Sequence, residues 1–407
     1  MNFEARRNAV IEQMDEQSIL VLYSGTMAAH FEVNHHFFYL TGLTRSNMIL
    51  VLSNLNGKAA STLYIEKCDP AAERWTGKMV TVEEAKAVSQ VEDIRFVERL
   101  DADLNMLAVS TGVKNAYFDL YRFRKDAMPS FNIERANAFA AAYPGITLRN
   151  LWPLVSKLRM SKDADEEVEL RKAIEVTNVA LQNVMANLKP GRMEYQVQAD
   201  FEYMVKFQGA ESLAFSTIAG SGRNGTMLHY GTNRDECKDE SLVLLDLGAK
   251  WNGYCADITR TYPVNGKFTE RQRKVYDIVL KANRTIARTA KPGMTTVELN
   301  EVCKQVLAEG CIELGLIKDA SEIRKYYMHG VSHHLGIDVH DVTLPGSVLT
   351  VGSVISDEPG LYIDEWDIGI RIEDDIMITE DGCKVLSEQV IRDPDEIEAF
   401  MAQAKKN

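Results

Sequence analysis

The sequence comprises 407 residues, of which 45% are apolar and 26% are charged, and its formal net charge is −13. This length and composition are typical of a soluble globular protein with two or three domains. The negative charge disfavours a nucleic-acid partner bound through general electrostatics, and apolar runs such as MILVL at 48–52 are far too short to cross a bilayer.

The N-terminal stretch MNFEARRNAVIEQMDEQ mixes acids and bases without a continuous apolar region, so it predicts no secretory signal. Six cysteines occur without a CxxC motif and without a regular spacing that would indicate a disulfide framework or a zinc knuckle. We therefore expect reduced thiols, a cytoplasmic location and a packing role for Cys255.

Short apolar stretches alternate with helical ones between residue 18 and about residue 145. SILVLYSG, NMILVLSN, STLYIEK and KNAYFDL have the composition of strands, whereas TVEEAKAVSQV has the pattern of a helix. This alternation predicts an N-terminal α/β domain over residues 1–155.

The pattern changes at YPGITLRNLWPLVSKLRM, which predicts a domain boundary at roughly 146–160. Ser161 followed by DADEE is expected to open a long helix, because the helix dipole favours acids in the first turn. Apolar residues at helical spacing form the predicted buried stripe of this helix: Ile174, Leu181, Val184, Met185 and Leu188. We assign residues 156–407 to a second domain.

This second domain contains a weak internal repeat. One predicted helix ends at Lys189-Pro190-Gly191 and another ends about a hundred residues later at Lys291-Pro292-Gly293; a second helix and a strand-rich section follow each. Duplicated α/β halves of this kind are expected to enclose a site to which both halves contribute residues.

Acidic residues interrupt apolar runs in the first half of the repeat. Asp246 lies within VLLDLGA, and Asp257 follows the turn signal Asn252-Gly253. A hairpin at this turn would bring the two carboxylates close together across the strands.

The second half shows the same feature, with Glu358 in VISDEPGLYI and Glu373 in DIGIRIEDD. Isoleucines alternate with Arg371 and Glu373, which places these two charged residues on one strand face. Four acids inside strands cannot all stay ionised without a cation, because taking a carboxylate out of water is costly. Two divalent ions would balance four carboxylates, so we predict a dinuclear metal site.

Four of the eight histidines fall in HGVSHHLGIDVHD, residues 329–341. Since oxygen ligands already fill most metal positions, only some of these imidazoles can be ligands. We assign His333 to the metal, and His329 and His340 to proton supply and substrate binding. His334 is adjacent to His333, should point away from it, and is interpreted as structural.

These motifs resemble those of the pita-bread metallopeptidases. HGVSHHLGIDVHD, DEPGLYI, GIRIEDD and DITRTYPVNGKFTERQRKVYDIVLKAN are most similar to aminopeptidase P, the Xaa-Pro aminopeptidase, and RRNAVIEQM and FFYLTGL resemble its N-terminal domain. Five residues match the metal ligands of that family in order and context: Asp246, Asp257, His333, Glu358 and Glu373. The resemblance implies an α/β (α+β) fold, in which an N-terminal α/β domain precedes a C-terminal pita-bread domain with an internal pseudo-twofold repeat.

The resemblance also implies how the ligands are used. Asp257 and Glu373 are expected to bridge two divalent ions, Asp246 to chelate one, and His333 and Glu358 each to bind one. Manganese is expected first, with cobalt or zinc as alternatives, because four carboxylates and one imidazole suit manganese.

The implied activity is hydrolysis of the Xaa-Pro bond at the N-terminus of a peptide by a hydroxide that bridges the two ions. His340 or His329 is expected to stabilise the tetrahedral intermediate, and Glu358 to carry a proton to the leaving nitrogen. His229 in TMLHYG is expected to join these histidines around the substrate.

Residues beside the ligand set carry further expectations. Arg371 is expected to hold Glu373 or a nearby carboxylate in place. Asp357 stands where relatives usually carry a small or apolar residue, so metal affinity and substrate entry are expected to differ. His35 and His36 are interpreted as structural, with approach to a neighbouring subunit's site as the alternative.

GSGRNG at 220–225 fits the dinucleotide motif GxGxxG, but TMLHY follows it instead of a helix, so we reject a nucleotide site there. The glycine-rich turn is expected to bring His229 to the metal site.

Two alternatives remain open. A prolidase would accept only Xaa-Pro dipeptides, and a catalytically inactive relative would bind peptides or proteins on the same fold. Apart from Arg371, which is assigned to the metal-site carboxylates, no cluster of Arg or Lys accompanies the ligand motifs, which favours an open exit and therefore longer peptides. The expected partners are peptides with proline at the second position and further copies of the chain in a dimer or tetramer, with no nucleic acid and no membrane.

Overall fold

The computed structural model describes residues 1–27 and 31–404. The chain divides into two compact units, Met1–Arg159 and Met160–Asn407, which are called here the first and second units. Within the described part of the chain, no helix is both long and apolar enough to cross a membrane.

The first unit is built around one mixed sheet. Its elements are α1 (Phe3–Gln13), β1 (Ser18–Tyr23), α2 (His35–Thr41), β2 (Ile49–Leu55), β3 (Lys58–Ile65), α3 (Pro70–Thr76), α4 (Val82–Ser89), β4 (Asp93–Phe96), α5 (Leu100–Ser110), β5 (Asn115–Phe118), α6 (Phe131–Ala142), β6 (Thr147–Asn150) and α7 (Trp152–Arg159). The strand order is β4-β3-β2-β1-β5-β6. Strands β1, β2 and β3 pair antiparallel, whereas β4, β5 and β6 join parallel to their neighbours.

Burial explains which of these strands the sequence predicts. The four stretches with strand composition form β1, β2, β3 and β5, whose buried apolar residues build the core. Strands β4 and β6 have only four residues each and are half-buried or exposed. They therefore lack the apolar run that marks a strand in the sequence.

Up to residue 404, the second unit contains five α-helices and several small sheets. Its elements are α8 (Ala164–Asn187), β7 (Arg192–Met193), α9 (Glu194–Phe207), β8 (Ser212–Leu213), β9 (Ile218–Ser221), β10 (Glu236–Cys237), β11 (Leu242–Leu247), β12 (Ala249–Trp251), β13 (Tyr254–Cys255), β14 (Ile258–Pro263), α10 (Glu270–Thr289), α11 (Thr296–Glu313), β15 (Val354–Asp357), β16 (Gly360–Ile363), β17 (Ile368–Arg371), β18 (Asp374–Ile378), β19 (Cys383–Val385) and α12 (Pro394–Ala404). Its three-stranded sheets have the orders β14-β11-β9, β13-β12-β8 and β15-β18-β19.

The internal repeat is visible in this order of elements. Helices α8 and α9 pack together before the first group of strands, and α10 and α11 pack together before the second group. Each Lys-Pro-Gly lies just after the first helix of its pair, as predicted. Helix α8 begins two residues later than Ser161 suggested, because Asp163 is the residue that forms a capping box with Glu166.

Candidate metal centre

The first half of the second unit supplies two acids from a hairpin. Asn252 and Gly253 both have positive φ and connect β12 to β13, as the Asn-Gly signal predicts. Asp246 lies in β11 opposite Thr259 of β14, and Asp257 immediately precedes β14. The two acids are therefore offset by two positions and are not direct cross-strand partners.

The second half supplies two acids from strand junctions. Glu358 lies between β15 and β16, and Glu373 lies between β17 and β18. The prediction that four acids lie inside strands is thus wrong for Asp257, Glu358 and Glu373; only Asp246 is within one. A residue at a break between strands need not follow the alternation of side chains in a sheet. At one such break, the amide of Glu373 donates to the carbonyl of Thr259 (3.0 Å).

The histidine segment lies alongside β15. The carbonyl of His333 accepts from the amide of Ser356 (2.9 Å), and the amide of Glu358 donates to the carbonyl of Val331 (3.0 Å). This pairing brings the imidazole of His333 to the acids. Its Nε2 is 3.3 Å from Oδ2 of Asp257 and 3.5 Å from Oε1 of Glu358.

Three of the five expected ligands form a tight cluster. One ligand atom each from Asp257, His333 and Glu373 lies within 4.8 Å of the others. All five expected ligands line one cavity of about 400 Å³. The same cavity is lined by the other predicted site residues: His229, His329, His340 and Arg371.

The positive charge around this cavity is insufficient to balance its carboxylates. Burial, opposed by the hydrogen bond with His333 and reinforced by the charge of Asp246, raises the pKa of Asp257 to about 6. Burial likewise raises the pKa of Glu358 to about 7 and that of Glu373 well above its usual range. Oδ1 of Asp246 is buried without a hydrogen-bond partner.

The same excess of negative charge raises the pKa of His333. Burial lowers the pKa of its imidazole, but the hydrogen bond with Asp257 and the charges of Asp257 and Glu358 outweigh that effect and raise it to about 9. In protein free of metal the imidazole therefore carries a proton, which a metal ion must displace to bind. Four carboxylates and one imidazole around an undercompensated buried site fit divalent metal ions.

Arg371 pairs with Asp246 and reaches Glu373 only indirectly. Its Nη2 donates to Oδ2 of Asp246 (2.6 Å), and its Nε donates to the hydroxyl of Thr259 (3.0 Å). That hydroxyl in turn donates to Oε2 of Glu373 (2.6 Å). Arg371 thus holds one expected ligand directly and orients a second through Thr259.

Tyr362 connects Arg371 to His329. Nη1 of Arg371 donates to the hydroxyl of Tyr362 (2.9 Å), which is 2.8 Å from Nε2 of His329. The carbonyl of Gly330 can only accept, so Nδ1 of His329 is the donor in that contact (2.7 Å). In a neutral imidazole the other nitrogen is an acceptor, so Nε2 accepts the proton of the Tyr362 hydroxyl. Burial, followed by the charge of Arg371, lowers the pKa of His329 to about 4, so this imidazole is neutral.

The other histidines of the segment have separate positions. The ring of His340 lies edge-on to that of His333, with centroids 4.3 Å apart. His334 is buried and forms a β-bridge with Ile355, in agreement with a structural role. His229 is exposed on the turn after β9.

In the glycine-rich segment 220–225, Gly220 and Ser221 end β9, and a 3-10 helix over Gly222–Thr226 follows instead of an α-helix. A buried carboxylate holds it, since Glu194 accepts from the amide of Ser221 (2.7 Å), the side chain of Asn224 (2.9 Å) and the hydroxyl of Tyr230 (2.8 Å). These contacts fix the segment that carries His229.

Four residues that organise the site were missed by the sequence interpretation: Glu194, Thr259, Arg260 and Tyr362. Arg260 is fully buried and donates to the carbonyls of Thr259 (2.9 Å) and Glu373 and to Asp374 (2.7 Å). A charged residue in ITRTYP, a stretch rich in β-branched and aromatic residues, was the available signal for it. Glu194 begins a helix and carries no comparable signal.

Asp357 is an unusual buried acid next to the site. It lies directly opposite Asp374 in the β15–β18 register, and neither of its carboxyl oxygens has a hydrogen-bond partner. Burial, followed by the charge of Asp374, raises its pKa well above the usual range. It does not line the cavity.

Outside the cavity, Cys255 is buried and its thiol donates to the carbonyl of Ile337 (3.4 Å), as expected of a packing residue. In the first unit, His36 contacts Arg159 (3.3 Å) and His35 contacts Glu32 (3.1 Å).

Two family profiles match the chain: metallopeptidase family M24 over residues 168–380 and the aminopeptidase P N-terminal domain over residues 3–115. A Xaa-Pro aminopeptidase of Escherichia coli K12 is 35% identical, over 99% of this chain and 98% of the relative. Xaa-Pro aminopeptidase 3 of Homo sapiens is 30% identical, over 96% and 82% respectively.

Solved structures are similar over the whole chain. A Bacillus anthracis protein assigned as an aminopeptidase P superposes with a TM-score of 0.96 at 40% identity, covering 99% of this chain and 98% of that one. Aminopeptidase P of E. coli with the inhibitor Pro-Leu gives a TM-score of 0.89 at 33% identity, covering 100% and 99%.

Proposed function

The chain belongs to metallopeptidase family M24, and on this premise we propose that it is a metal-dependent Xaa-Pro aminopeptidase, which releases the N-terminal residue of peptides whose second residue is proline. One observation carries the proposal. Acids from both halves of the repeat meet His333 in one cavity, where the carboxylates exceed the available positive charge.

Five residues would hold the metal: Asp246, Asp257, His333, Glu358 and Glu373. We propose two divalent ions, with manganese first because the donor set is rich in carboxylates, and cobalt or zinc as alternatives. When bound, such a pair supplies a water of lowered pKa and polarises the scissile carbonyl.

The two histidines beside the metal ligands have different proposed roles. Both ring nitrogens of His329 are engaged, by Gly330 and Tyr362, so His329 serves to fix the Arg371–Tyr362 chain. His340 is therefore the better donor to the developing negative charge on the carbonyl oxygen, because it lines the cavity beside His333.

Glu358 is the proposed proton carrier. It accepts the proton of the attacking water as the C–O bond forms and delivers it to the proline nitrogen as the C–N bond breaks. The hydroxyl of Ser356, which donates to Oε1 of Glu358 (3.3 Å) and accepts from the amide of His333 (3.0 Å), keeps this carboxylate beside the imidazole.

The cavity favours longer peptides over dipeptides. Among the described residues that line it, Arg371 is the single Lys or Arg, and its guanidinium is engaged by Asp246, Thr259 and Tyr362. No lining cation is therefore available to bind the C-terminal carboxylate that a prolidase must recognise.

The test is release of free Xaa from Xaa-Pro-Yaa, Xaa-Pro and Xaa-Ala-Yaa after manganese is added to metal-free protein. We expect cleavage of the tripeptide with proline at least as fast as cleavage of the dipeptide, and little cleavage of the alanine peptide. Cleavage of dipeptides alone would indicate a prolidase. Peptide binding without hydrolysis by metal-loaded protein would indicate an inactive binding relative.

Three finer statements belong to the same proposal. Manganese as the physiological ion, a cytoplasmic location and a homo-oligomeric state follow from the donor chemistry, the cysteine spacing and the family resemblance respectively. Elemental analysis of protein purified without added metal, fractionation of cells, and sedimentation equilibrium would test them separately.

A further inference from the structure

We propose that Lys162 is a positioning residue for His340, acting through a buried ion pair with Asp341. Nζ of Lys162 lies 2.9 Å from Oδ2 of Asp341, and each side chain is only 1% exposed. Asp341 directly follows His340 in the chain. The inference uses the proposed function only in taking His340 as a group that faces substrate.

Asp341 closes the loop that carries His340. Its amide donates to the carbonyl of His334 (2.8 Å), so residues 334–341 form a loop with adjoining ends. The far side of the loop is held by Cys255, whose amide donates to the carbonyl of Gly336 (2.8 Å). The imidazole of His340 therefore projects from a short closed loop whose last residue is tied to Lys162.

Gly336 leaves the space that the ion pair occupies. A Cβ at this position would lie 2.3 Å from Oδ2 of Asp341 and 2.8 Å from Cε of Lys162. Any larger residue at position 336 would have to displace the ion pair, so the loop packs closely against it.

The backbone of Lys162 is attached to the segment that leads to Glu358. Its amide donates to the carbonyl of Gly352 (2.8 Å), and the hydroxyl of Ser161 donates to the carbonyl of Val351 (2.6 Å). Strand β15 begins two residues later and ends next to Glu358. Lys162 thus links the strand that carries the proposed proton carrier to the loop that carries His340.

The Lys162–Asp341 ion pair affects the position of His340 more than it affects the stability of the protein. Desolvation of two buried charges offsets most of their attraction, so a buried ion pair adds little net stability over an apolar pair of the same size. The ion pair does, however, form only when Lys162 and Asp341 occupy one relative position. This position fixes the direction of the neighbouring His340, whose ring contacts that of His333.

The test compares Lys162→Met, His340→Ala and the double variant with the full-length protein. For Lys162→Met we expect kcat on Xaa-Pro-Yaa to fall about 10- to 100-fold, KM to change less than about 3-fold and the manganese content to stay near wild type, because misplacement alone costs turnover. In the His340→Ala background the same substitution should change kcat less than about 2-fold. Lys384→Met is the control, since it breaks the Lys384–Glu167 pair (2.6 Å) of the same unit and should leave kcat unchanged.

Hydrogen exchange in metal-free protein gives a readout that does not depend on activity. Lys162→Met should speed exchange of the amides in 334–341 and leave the rest of the second unit unchanged. Equal losses of kcat with and without His340, or unaltered exchange in the loop, would overturn the proposal. If wild-type protein cleaves no Xaa-Pro peptide, the proposed function fails while the exchange experiment still decides the role of Lys162.

A second variant covers failure of Lys162→Met to fold. Lys162→Met with Asp341→Leu removes both charges and keeps the pair apolar and packed. We expect it to fold and to show the same loss of turnover and the same faster exchange in the loop. Full turnover with unaltered exchange in this variant would show that the ion pair has no positioning role.

Discussion

Replacing Asp357 with valine is expected to stabilise the protein. The carboxyl group of Asp357 is fully buried, has no hydrogen-bond partner for either oxygen and faces Asp374 across the β15–β18 pairing. Valine suits a buried strand position and introduces no polar group that needs a partner.

The magnitude follows from the two unpartnered oxygens. Mutational data place the cost of burying a polar group without a hydrogen bond at about 1–3 kcal/mol, and overpacking by the larger valine side chain takes back about 1 kcal/mol. The difference, a net gain of up to about 2 kcal/mol, corresponds to a rise in Tm of up to roughly 8 °C for a folding unit of this size. Asp357→Asn should gain less, because its amide remains buried without a partner.

The assay is thermal unfolding of metal-free protein at neutral pH, since bound metal would add its own stabilisation. Asp381→Val is the matched control: Asp381 is an exposed acid of the same unit, so its replacement lowers the net negative charge equally without removing a buried group. The reasoning is refuted if Asp357→Val unfolds below wild type, or if the control raises Tm as much. Turnover should stay within about 2-fold of wild type, because Asp357 does not line the cavity.

Three further outcomes are expected. Glu373→Ala should lose both metal ions and all activity, as measured by elemental analysis and peptide hydrolysis, because the family resemblance implies that Glu373 would contact both ions; retention of either ion would contradict that role. His333→Ala should lower metal content whereas His340→Ala should lower turnover at nearly unchanged metal content, and equal metal loss in both would contradict their separate roles. Burial raises the pKa of Asp103, but hydrogen bonds, first of all from Arg95, outweigh this and lower it. The stability that this carboxylate contributes is therefore present above about pH 4 and is lost as the pH falls through its folded pKa. Asp103→Asn should lower the free energy of unfolding by about 0.5–1 kcal/mol, because the guanidinium partners are partly exposed; the difference measured by denaturant unfolding should be constant between pH 5 and 7, and a change over that range would contradict the assignment.

The elements that the sequence predicted correctly depend on local signals. The apolar runs of β1, β2, β3 and β5 and the Asn252-Gly253 turn each involve residues within a few positions of one another. The same holds for the two Lys-Pro-Gly helix ends. That both halves contribute residues to one site was predicted from the repeat, and a metal centre was predicted from charge, because buried carboxylates need a cation.

The errors concern contacts between distant segments. Alternation placed Arg371 and Glu373 on one strand face, but β17 ends at Arg371 and the amide of Glu373 donates to Thr259, more than a hundred residues earlier. The amide of Arg371 likewise donates to the hydroxyl of Thr261 (3.2 Å). These bonds join the two halves of the repeat, and no periodicity within either half contains that information.

The charges around the cavity support two ions over one. When all four carboxylates are ionised, as metal ligands must be, they and the guanidinium of Arg371 give a net charge of −3, which a proton on His333 reduces to −2. One divalent ion bound to neutral His333 leaves −1, whereas two ions leave +1. Hydrolysis of an amide develops negative charge on the carbonyl oxygen, and only the two-ion state presents that oxygen with a net positive surrounding. Arg371 contributes to this balance without approaching substrate, because its guanidinium is held by Asp246, Thr259 and Tyr362.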